Sequence, residues 1–214
     1  MRSPDRHDTP HGLCTIIELP DDAGALAAAL AALPAAEQAL AASLTVVRRR
    51  ELIAGRTALH AALAELAPAL AGAPVLSDDR GAPILPAGWV GSVSHKGPRA
   101  AALVAPADGT RIGIDLERAQ PSRQDIAGRI LTARELAQLA DADRALGATL
   151  RFSIKEAIYK AVDPFVRRYV GFTEVELDVV EGLAHVTSEL PLHIETTWRE
   201  LDGHWLATAR AVRR

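Results

Sequence analysis

Apolar and acidic side chains alternate in the stretch GIDLE, which occupies residues 113–117 of the chain. Alternation with a period of two is typical of a β-strand, because successive side chains of a strand point to opposite faces. Asp115 and Glu117 are therefore expected to project two carboxylates from one face, while Ile114 and Leu116 point into the core. The simpler interpretation is a solvated, charged face of a sheet. An active-site edge is the alternative, because the strand leads directly into a loop.

Helical and strand-like segments follow one another in blocks along the rest of the chain. Strong helix formers dominate residues 23–66, and short apolar runs typical of strands occur over residues 90–116. Helical periodicity resumes over residues 124–162, and half-polar segments typical of antiparallel strands lie between residues 172 and 212. This order predicts an α+β protein built from two similar α/β halves.

The boundaries of these halves follow from the changes in composition. Residues 1–12 are polar and are expected to form a flexible tail. We expect residues 13–120 to form the N-terminal half and residues 121–214 the C-terminal half. Asp21 or Asp22 is expected to cap the first helix, since a carboxylate can accept hydrogen bonds from the amides of the first turn.

The overall composition limits the class of protein. The 214 residues are 49% apolar and 24% charged, which allows a sizeable core and excludes wholesale disorder. The formal net charge of -3 argues against a dedicated nucleic-acid binder, and the single cysteine, Cys14, excludes an internal disulfide. No apolar run reaches the roughly 18 residues of a membrane helix, and the first residues lack the apolar stretch of a secretory signal. We therefore expect a cytoplasmic protein without nucleic-acid or membrane partners.

A predicted helix carries charged residues on one face, in the segment RFSIKEAIYKA at residues 151–161. Glu156 and Lys160 are four residues apart and share that face, while Ile154 and Ile158 form the opposite, core-directed stripe. An exposed ion pair worth roughly a few tenths of a kcal/mol is the simpler interpretation. A functional cluster is the alternative.

Two further segments offer contacts for an anion. Residues 91–97, GSVSHKG, bring small residues, hydroxyls and His95 to the end of a predicted strand, where backbone amides can hold an anion. Arg48 and Arg56 lie eight residues apart on a predicted helix, and arginine forks suit phosphate oxygens. For each segment alone, a turn or a solvated helix face is the simpler interpretation.

Considered together, these features predict a site for a polyphosphate substrate. The carboxylates of Asp115, Glu117 and Glu156 would form a hard oxygen site of the kind that Mg²⁺ prefers, since this ion keeps waters and substrate phosphates among its ligands. The arginines, a lysine and a histidine would contact the anion. This arrangement favours a phosphoryl-type transfer assisted by a metal ion.

Three segments of the chain resemble, in order and spacing, the three motifs of 4′-phosphopantetheinyl transferases. These segments are GSVSH at 91–95, IGIDLE at 112–117 and FSIKEAIYK at 152–160. The sequence looks most similar to the branch of Sfp-type and enterobactin-type enzymes, which act on carrier proteins of secondary metabolism, including polyketide and nonribosomal peptide synthesis. The resemblance covers roughly residues 45–180.

The resemblance implies a monomer of two α/β halves related by a pseudo-two-fold axis, with the active site in the cleft between them. Enzymes of this family transfer the 4′-phosphopantetheine arm of coenzyme A to a serine of an apo acyl or peptidyl carrier protein. The reaction releases adenosine 3′,5′-bisphosphate and depends on Mg²⁺, with Mn²⁺ as a second metal that the family accepts. The resemblance therefore implies a holo-acyl-carrier-protein synthase activity.

The match to the three family motifs implies roles for individual residues. Asp115, Glu117 and Glu156 would be the metal ligands. Glu156 would also be the general base for the carrier serine, and Lys160 would stabilise or protonate the leaving group. The residues that would contact coenzyme A are Arg48, Arg56, Arg80, Ser94, His95, Asp115, Lys155 and Lys160.

Two other functions remain open for the same residues. One is a catalytically inactive module that binds coenzyme A or a carrier protein, which the presence of all three carboxylates and Lys160 argues against. The other is a Mg²⁺-dependent hydrolase or nucleotidyl transferase, which would cleave a nucleotide without a carrier acceptor.

Overall fold

The computed structural model describes residues 4–19 and 22–214, and the chain forms two compact units. The first unit comprises Met1–Asp108 and the second Gly109–Arg214. Each unit packs a long helix against an antiparallel sheet, so the α+β class expected from the sequence is confirmed. The pseudo-two-fold relation that the resemblance implies stays a prediction.

The first unit has an antiparallel sheet with the strand order β1-β2-β6-β5. In chain order, its elements are β1 (Asp5–Thr9), β2 (Gly12–Glu18), α1 (Ala23–Ala31), α2 (Ala35–Ala42), α3 (Val46–Leu66), a 3₁₀ turn (Pro68–Leu70), β3 (Leu76–Ser77), β4 (Pro83–Ile84), β5 (Trp89–Lys96) and β6 (Arg99–Pro106). Helix α3 lies on the sheet, with Ile53, Leu59 and Leu63 fully buried against residues of β2 and β6. Helices α1 and α2 pack against α3.

The N-terminal residues form a strand and not the flexible tail expected for residues 1–12. Strand β1 pairs antiparallel with β2 from Asp5 to Thr9, and residues 1–3 lie outside the described residues. The polar sequence suits a strand at the edge of a sheet, where charged side chains can reach water. Asp22 caps α1 by accepting a hydrogen bond from the amide of Ala25 at 2.7 Å, whereas Asp21 lies outside the described residues.

The second unit has an antiparallel sheet with the strand order β7-β11-β10-β9-β8. In chain order, its elements are β7 (Arg111–Arg118), α4 (Ala127–Ile130), α5 (Ala133–Ala137), a 3₁₀ turn (Asp141–Asp143), α6 (Arg144–Val166), a 3₁₀ turn (Phe172–Glu174), β8 (Val175–Val180), β9 (Leu183–Ser188), β10 (Leu192–Leu201) and β11 (His204–Arg213). The expected boundary at residue 120 is therefore too late, because β7 pairs along its whole length with β11.

A glycine allows α6 to lie very close to β7. A Cβ atom at Gly113 would overlap the backbone carbonyl oxygen of Ala157, in the middle of α6. Ile154 and Ile158 on the helix are fully buried in the core of this unit. The close approach brings the acidic residues of β7 next to the charged residues of α6.

Two remaining expectations concern the chain as a whole. In the part of the chain that the structure describes, no helix is both long and apolar enough to cross a membrane. Cys14, the single cysteine of the sequence, is buried on β2.

Candidate active site

Asp115 lies at the contact between β7 and α6, where it is only 7% exposed. One carboxylate oxygen, Oδ1, accepts a hydrogen bond from Lys160 Nζ at 3.0 Å, and Oδ2 accepts one from Ser153 Oγ at 2.9 Å. Lys160 Nζ also donates to the carbonyl of Ile114 at 2.8 Å. A single strand and a single helix thus hold a carboxylate, a hydroxyl and an ammonium group together.

Glu156 lies in the same environment, four residues before Lys160 on α6. Its partial burial raises the pKa of its carboxyl group above the ordinary value. The ammonium group of Lys160 opposes this rise, and the negative charge of Asp115 adds to it. The structure therefore brings Asp115, Glu156 and Lys160 into electrostatic contact, as the sequence predicted.

Glu117 lies two residues beyond Asp115 on β7, at an intermediate level of exposure. Its Oε1 atom accepts a hydrogen bond from the backbone amide of Arg118 at 2.8 Å. Within residues 4–19 and 22–214, no group of three or more His, Cys, Asp or Glu side chains is arranged to hold a metal ion. Asp115 and Glu156 thus interact electrostatically, but the three carboxylates do not form a ready-made ligand set.

Lys155 does not have the exposed ammonium group that the prediction of a coenzyme A contact requires. The residue is 3% exposed, and Nζ donates to the carbonyl of Ile130 at 2.8 Å, to Glu135 Oε2 at 2.7 Å and to the carbonyl of Phe172 at 2.9 Å. An ammonium group has three protons, so these contacts use all of them. Burial lowers the pKa of Lys155, and the carboxylate of Glu135 opposes that effect.

Glu135 is a fully buried junction that the sequence did not predict. Besides Lys155, it accepts hydrogen bonds from the amide of Thr132 at 2.7 Å and from the amide of Leu177 at 3.0 Å. Thr132 completes a capping box at the start of α5. The T-x-x-E spacing of that box is the signal in the sequence that could have identified Glu135.

A cavity of about 290 Å³ opens beside Glu156. Most of its lining is apolar or aromatic, and the rings of Tyr159 and Tyr169 lie 6.3 Å apart. We call it the α6 pocket, and its lining residues are Lys155, Glu156, Ile158, Tyr159, Tyr169, Val170, Gly171, Phe172 and Val175. This pocket was not predicted from the sequence, since its wall at residues 169–171 lies outside any helix or strand.

An exposed ion pair supports the same wall from the outside. Arg168 donates to both carboxylate oxygens of Glu174, at 3.0 and 2.7 Å, and to the carbonyl of Tyr169 at 2.7 Å. Glu174 also accepts a hydrogen bond from the amide of Gly171 at 2.8 Å. These hydrogen bonds, with Arg168 as the largest contributor, lower the pKa of the Glu174 carboxyl group.

The first unit holds the remaining residues that the sequence singled out. Arg48 is exposed on α3 and pairs with Glu51 at 2.8 Å, and Nε2 of His95 lies 3.6 Å from the same carboxylate. Ser94 and His95 lie within β5 and not after it, with Ser94 buried and His95 exposed. Arg80 is exposed in the turn between β3 and β4. Arg48 and His95 therefore meet around Glu51.

Arg56 is buried, in contrast to the expectation of a phosphate contact. It is 2% exposed, and it donates from Nε to the carbonyl of Val75 at 2.6 Å and from Nη2 to the carbonyl of Leu76 at 3.1 Å. A third hydrogen bond joins Nη2 to Ser77 Oγ at 2.9 Å. The guanidinium group thus fixes the chain at residues 75–77, and this geometry does not support a direct phosphate contact.

Next to Arg56, a second glutamate is fully buried. Glu37 on α2 lies 2.8 Å from His60 Nε2 and accepts a hydrogen bond from the amide of Val75 at 2.6 Å. The Nδ1 atom of His60 lies 2.9 Å from the carbonyl of Ala71. This junction, too, was absent from the sequence prediction, because a single acidic residue on a short helix indicates an exposed position.

Comparison with known proteins gives matches along most of the chain. Residues 36–105 match the model of the 4′-phosphopantetheinyl transferase N-terminal domain, and residues 111–209 match the model of the 4′-phosphopantetheinyl transferase superfamily. The 4′-phosphopantetheinyl transferase Npt of Nocardia iowensis is 36% identical over 82% of this chain and 71% of its own length. PptT of Mycobacterium tuberculosis is 35% identical over 76% and 72%, and enterobactin synthase component D of Salmonella typhimurium is 30% identical over 78% and 74%.

Proposed function

The chain belongs to the 4′-phosphopantetheinyl transferase superfamily, and on this premise we propose that it transfers the 4′-phosphopantetheine arm of coenzyme A to a serine of an apo carrier protein. The other product is adenosine 3′,5′-bisphosphate. The observation that carries this proposal is the contact between β7 and α6, where Asp115, Glu156 and Lys160 share one partly buried environment.

The carboxylates of this region have the chemistry that suits a divalent metal ion. Burial raises the pKa of Glu156, and the charge of Asp115 adds to the rise, so a nearby dication would favour the ionised form of both carboxylates. Asp115, Glu117 and Glu156 offer the carboxylate oxygens that Mg²⁺ prefers, and Mn²⁺ accepts similar ligands. When bound, the metal would neutralise charge on the diphosphate of coenzyme A.

The residues of the chain then have distinct roles in the transfer. Glu156 acts as the general base that takes the proton of the carrier serine. The serine oxygen forms a bond to the phosphorus that carries the pantetheine arm, and the bond from that phosphorus to the bisphosphate breaks. Lys160, whose ammonium group is 27% exposed beside Asp115, stabilises or protonates the leaving oxygen.

The two ends of coenzyme A require different surroundings. The α6 pocket beside Glu156 suits the largely apolar, thiol-ended arm, because such ligands are held by apolar and aromatic walls with a few polar groups. We assign the phosphates of the nucleotide to Arg48, Arg80, Ser94 and His95, together with Asp115 and Lys160 at the diphosphate. We further propose that the protein is a monomer that acts in the cytoplasm.

A labelling experiment tests the proposed activity. The protein is incubated with coenzyme A, MgCl₂ and a panel of apo acyl and peptidyl carrier proteins, and the mass of each carrier is measured. We expect at least one carrier to gain the mass of one phosphopantetheine arm, and we expect EDTA to prevent the gain. The proposal is overturned if a panel that includes a carrier from the source organism stays unmodified while an active relative labels it. Tight binding of coenzyme A without transfer would instead indicate an inactive binding module.

A further inference from the structure

We propose that Lys155 is a positioning residue that fixes the wall of the α6 pocket and does not contact the phosphates of coenzyme A. The inference rests on the proposed function, because it takes the pocket as the place of the pantetheine arm. It corrects the role that the motif alone suggested for this lysine.

The hydrogen bonds of Lys155 leave no donor for a ligand. Its three protons go to Glu135, to the carbonyl of Ile130 and to the carbonyl of Phe172, all within 2.9 Å of Nζ. A contact with a phosphate would require Lys155 to break these bonds. It would also leave the carboxylate of Glu135, which is completely buried, without its cation, and an uncompensated buried charge is strongly unfavourable.

The acceptors of Lys155 lie on the elements that surround the pocket. Ile130 is the last residue of α4, where the carbonyl groups of a helix have no partner within the helix. Phe172 lines the α6 pocket and begins the 3₁₀ turn that leads into β8. Lys155 itself lines the pocket. One side chain therefore joins α6, α4 and the pocket wall through its ammonium group.

The opposite side of the same wall depends on exposed groups. Arg168 and Glu174 hold Tyr169 and Gly171 from outside, and their side chains are 51% and 42% exposed. Exposed ion pairs contribute little, because water and salt screen them. The buried lysine is therefore the hydrogen-bonding contact that holds the main chain of Phe172 to α6.

Two ligands distinguish a positioning role from a phosphate contact. Coenzyme A has both the arm and the phosphates, whereas adenosine 3′-phosphate 5′-diphosphate keeps every phosphate and lacks the pantetheine arm. Their dissociation constants are measured by calorimetry in the presence of Mg²⁺ for the wild type and for Lys155→Met. We expect the affinity for coenzyme A to fall about tenfold, and the affinity for the arm-free nucleotide to stay within about twofold.

A double variant guards against a failure to fold. In Lys155→Met/Glu135→Gln both charges are removed, so the glutamate is not left as an unpaired anion. The carbonyl of Phe172 still loses its donor, and we expect the same selective loss of coenzyme A affinity. An equal fall in both affinities would show a phosphate contact, and unchanged affinities would show that Lys155 does not position the wall. Either outcome overturns the inference.

Glu37→Gln is the matched control, since Glu37 is as buried as Glu135 but belongs to the first unit. We expect this variant to be less stable and to keep the wild-type ratio of the two affinities. A changed ratio in this control would mean that any loosening of the fold alters arm binding, which also overturns the inference. If the wild type itself transferred no arm in the labelling experiment, the proposed function would fail independently of these ratios.

Discussion

Each of the two units buries one glutamate completely, and the two glutamates are held in nearly the same way. Glu37 on α2 meets His60 on α3 and the amide of Val75, at 2.8 and 2.6 Å. Glu135 on α5 meets Lys155 on α6 and the amide of Leu177, at 2.7 and 3.0 Å. In both units a carboxylate from a short helix thus joins a long helix to the chain at the following strand.

The two junctions differ in the residue that meets the glutamate and in what lies beside it. The ring nitrogens of His60 lie 2.8 Å from Glu37 and 2.9 Å from the carbonyl of Ala71. Lys155 has three protons and uses one of them on the wall of the α6 pocket. The comparison teaches that equal burial does not mean equal function: one junction supports the fold, and the other also shapes a ligand site.

The largest expected effect concerns Glu156, a glutamate near the junction of the second unit that lacks such compensation. Glu156→Gln should lower the rate of transfer about 10²–10⁴-fold, because it removes the proposed general base. Rates with saturating coenzyme A and carrier measure this loss. Glu195→Gln, an exposed glutamate on β10, is the control and should keep wild-type activity. Comparable activity of the two variants would remove Glu156 from the mechanism.

The same variant also has a consequence for stability without metal. Because its folded-state pKa is raised from 4.5, Glu156 contributes stability at low pH that is lost as pH rises through the folded-state value. In EDTA, Glu156→Gln should therefore be more stable than the wild type at pH 7, and the difference should vanish near pH 4. Thermal melts at both pH values measure this. A destabilised variant at pH 7 would contradict the burial argument.

Lys155→Met should have the next largest effect, a loss of stability, since it breaks the junction between Lys155 and Glu135 in the second unit. An unpaired Glu135 carboxylate in a fully buried position should lower the free energy of unfolding by about 3–5 kcal/mol. Urea denaturation measures the change. In Lys155→Met/Glu135→Gln we expect much of the loss to be recovered, because no buried charge remains alone. If the double variant is as unstable as the single one, the charge pair is not the source of the stability.

Glu37→Gln tests the junction of the first unit. We expect it to lower the free energy of unfolding by a smaller amount, about 1–3 kcal/mol. The side-chain amide of glutamine keeps an oxygen for the backbone amide of Val75 and a second polar group for the ring of His60, so no buried polar group is left without a partner. The measurement is again urea denaturation, paired with the rate of transfer per folded molecule. A loss as large as that of Lys155→Met would mean that the negative charge of Glu37 is essential to this junction.

The exposed pair of Arg168 and Glu174 should show the smallest effect. Glu174→Ala should leave the melting temperature unchanged within error, because the pair is open to solvent. We expect instead a modest rise in the KM for coenzyme A, as the amide of Gly171 loses its acceptor at the pocket wall. Measurements of KM at low and high salt test this. A marked fall in the melting temperature would show that the exposed pair supports the fold as the buried junctions do.

The sequence predicted the strand and the helix of the site but not which partners their side chains contact. Alternation around Asp115 and the spacing of Glu156 and Lys160 reflect local rules, and the structure agrees with both. Lys155 and Arg56 were assigned to a ligand because a motif records which residue is present and not whether it is buried. Their actual partners lie at least seventeen residues away along the chain, beyond the reach of any periodicity.

The absence of a side chain at Gly113 has a consequence for protein engineering. Because the backbone of α6 packs against this residue, contact between the two main chains sets the spacing between Asp115 on the strand and Glu156 on the helix. Even a methyl group at Gly113 would push the helix outward, so that position offers no latitude for redesign. Attempts to admit coenzyme A derivatives with bulky thioesters should therefore vary Tyr169 and Val170 and leave the strand untouched.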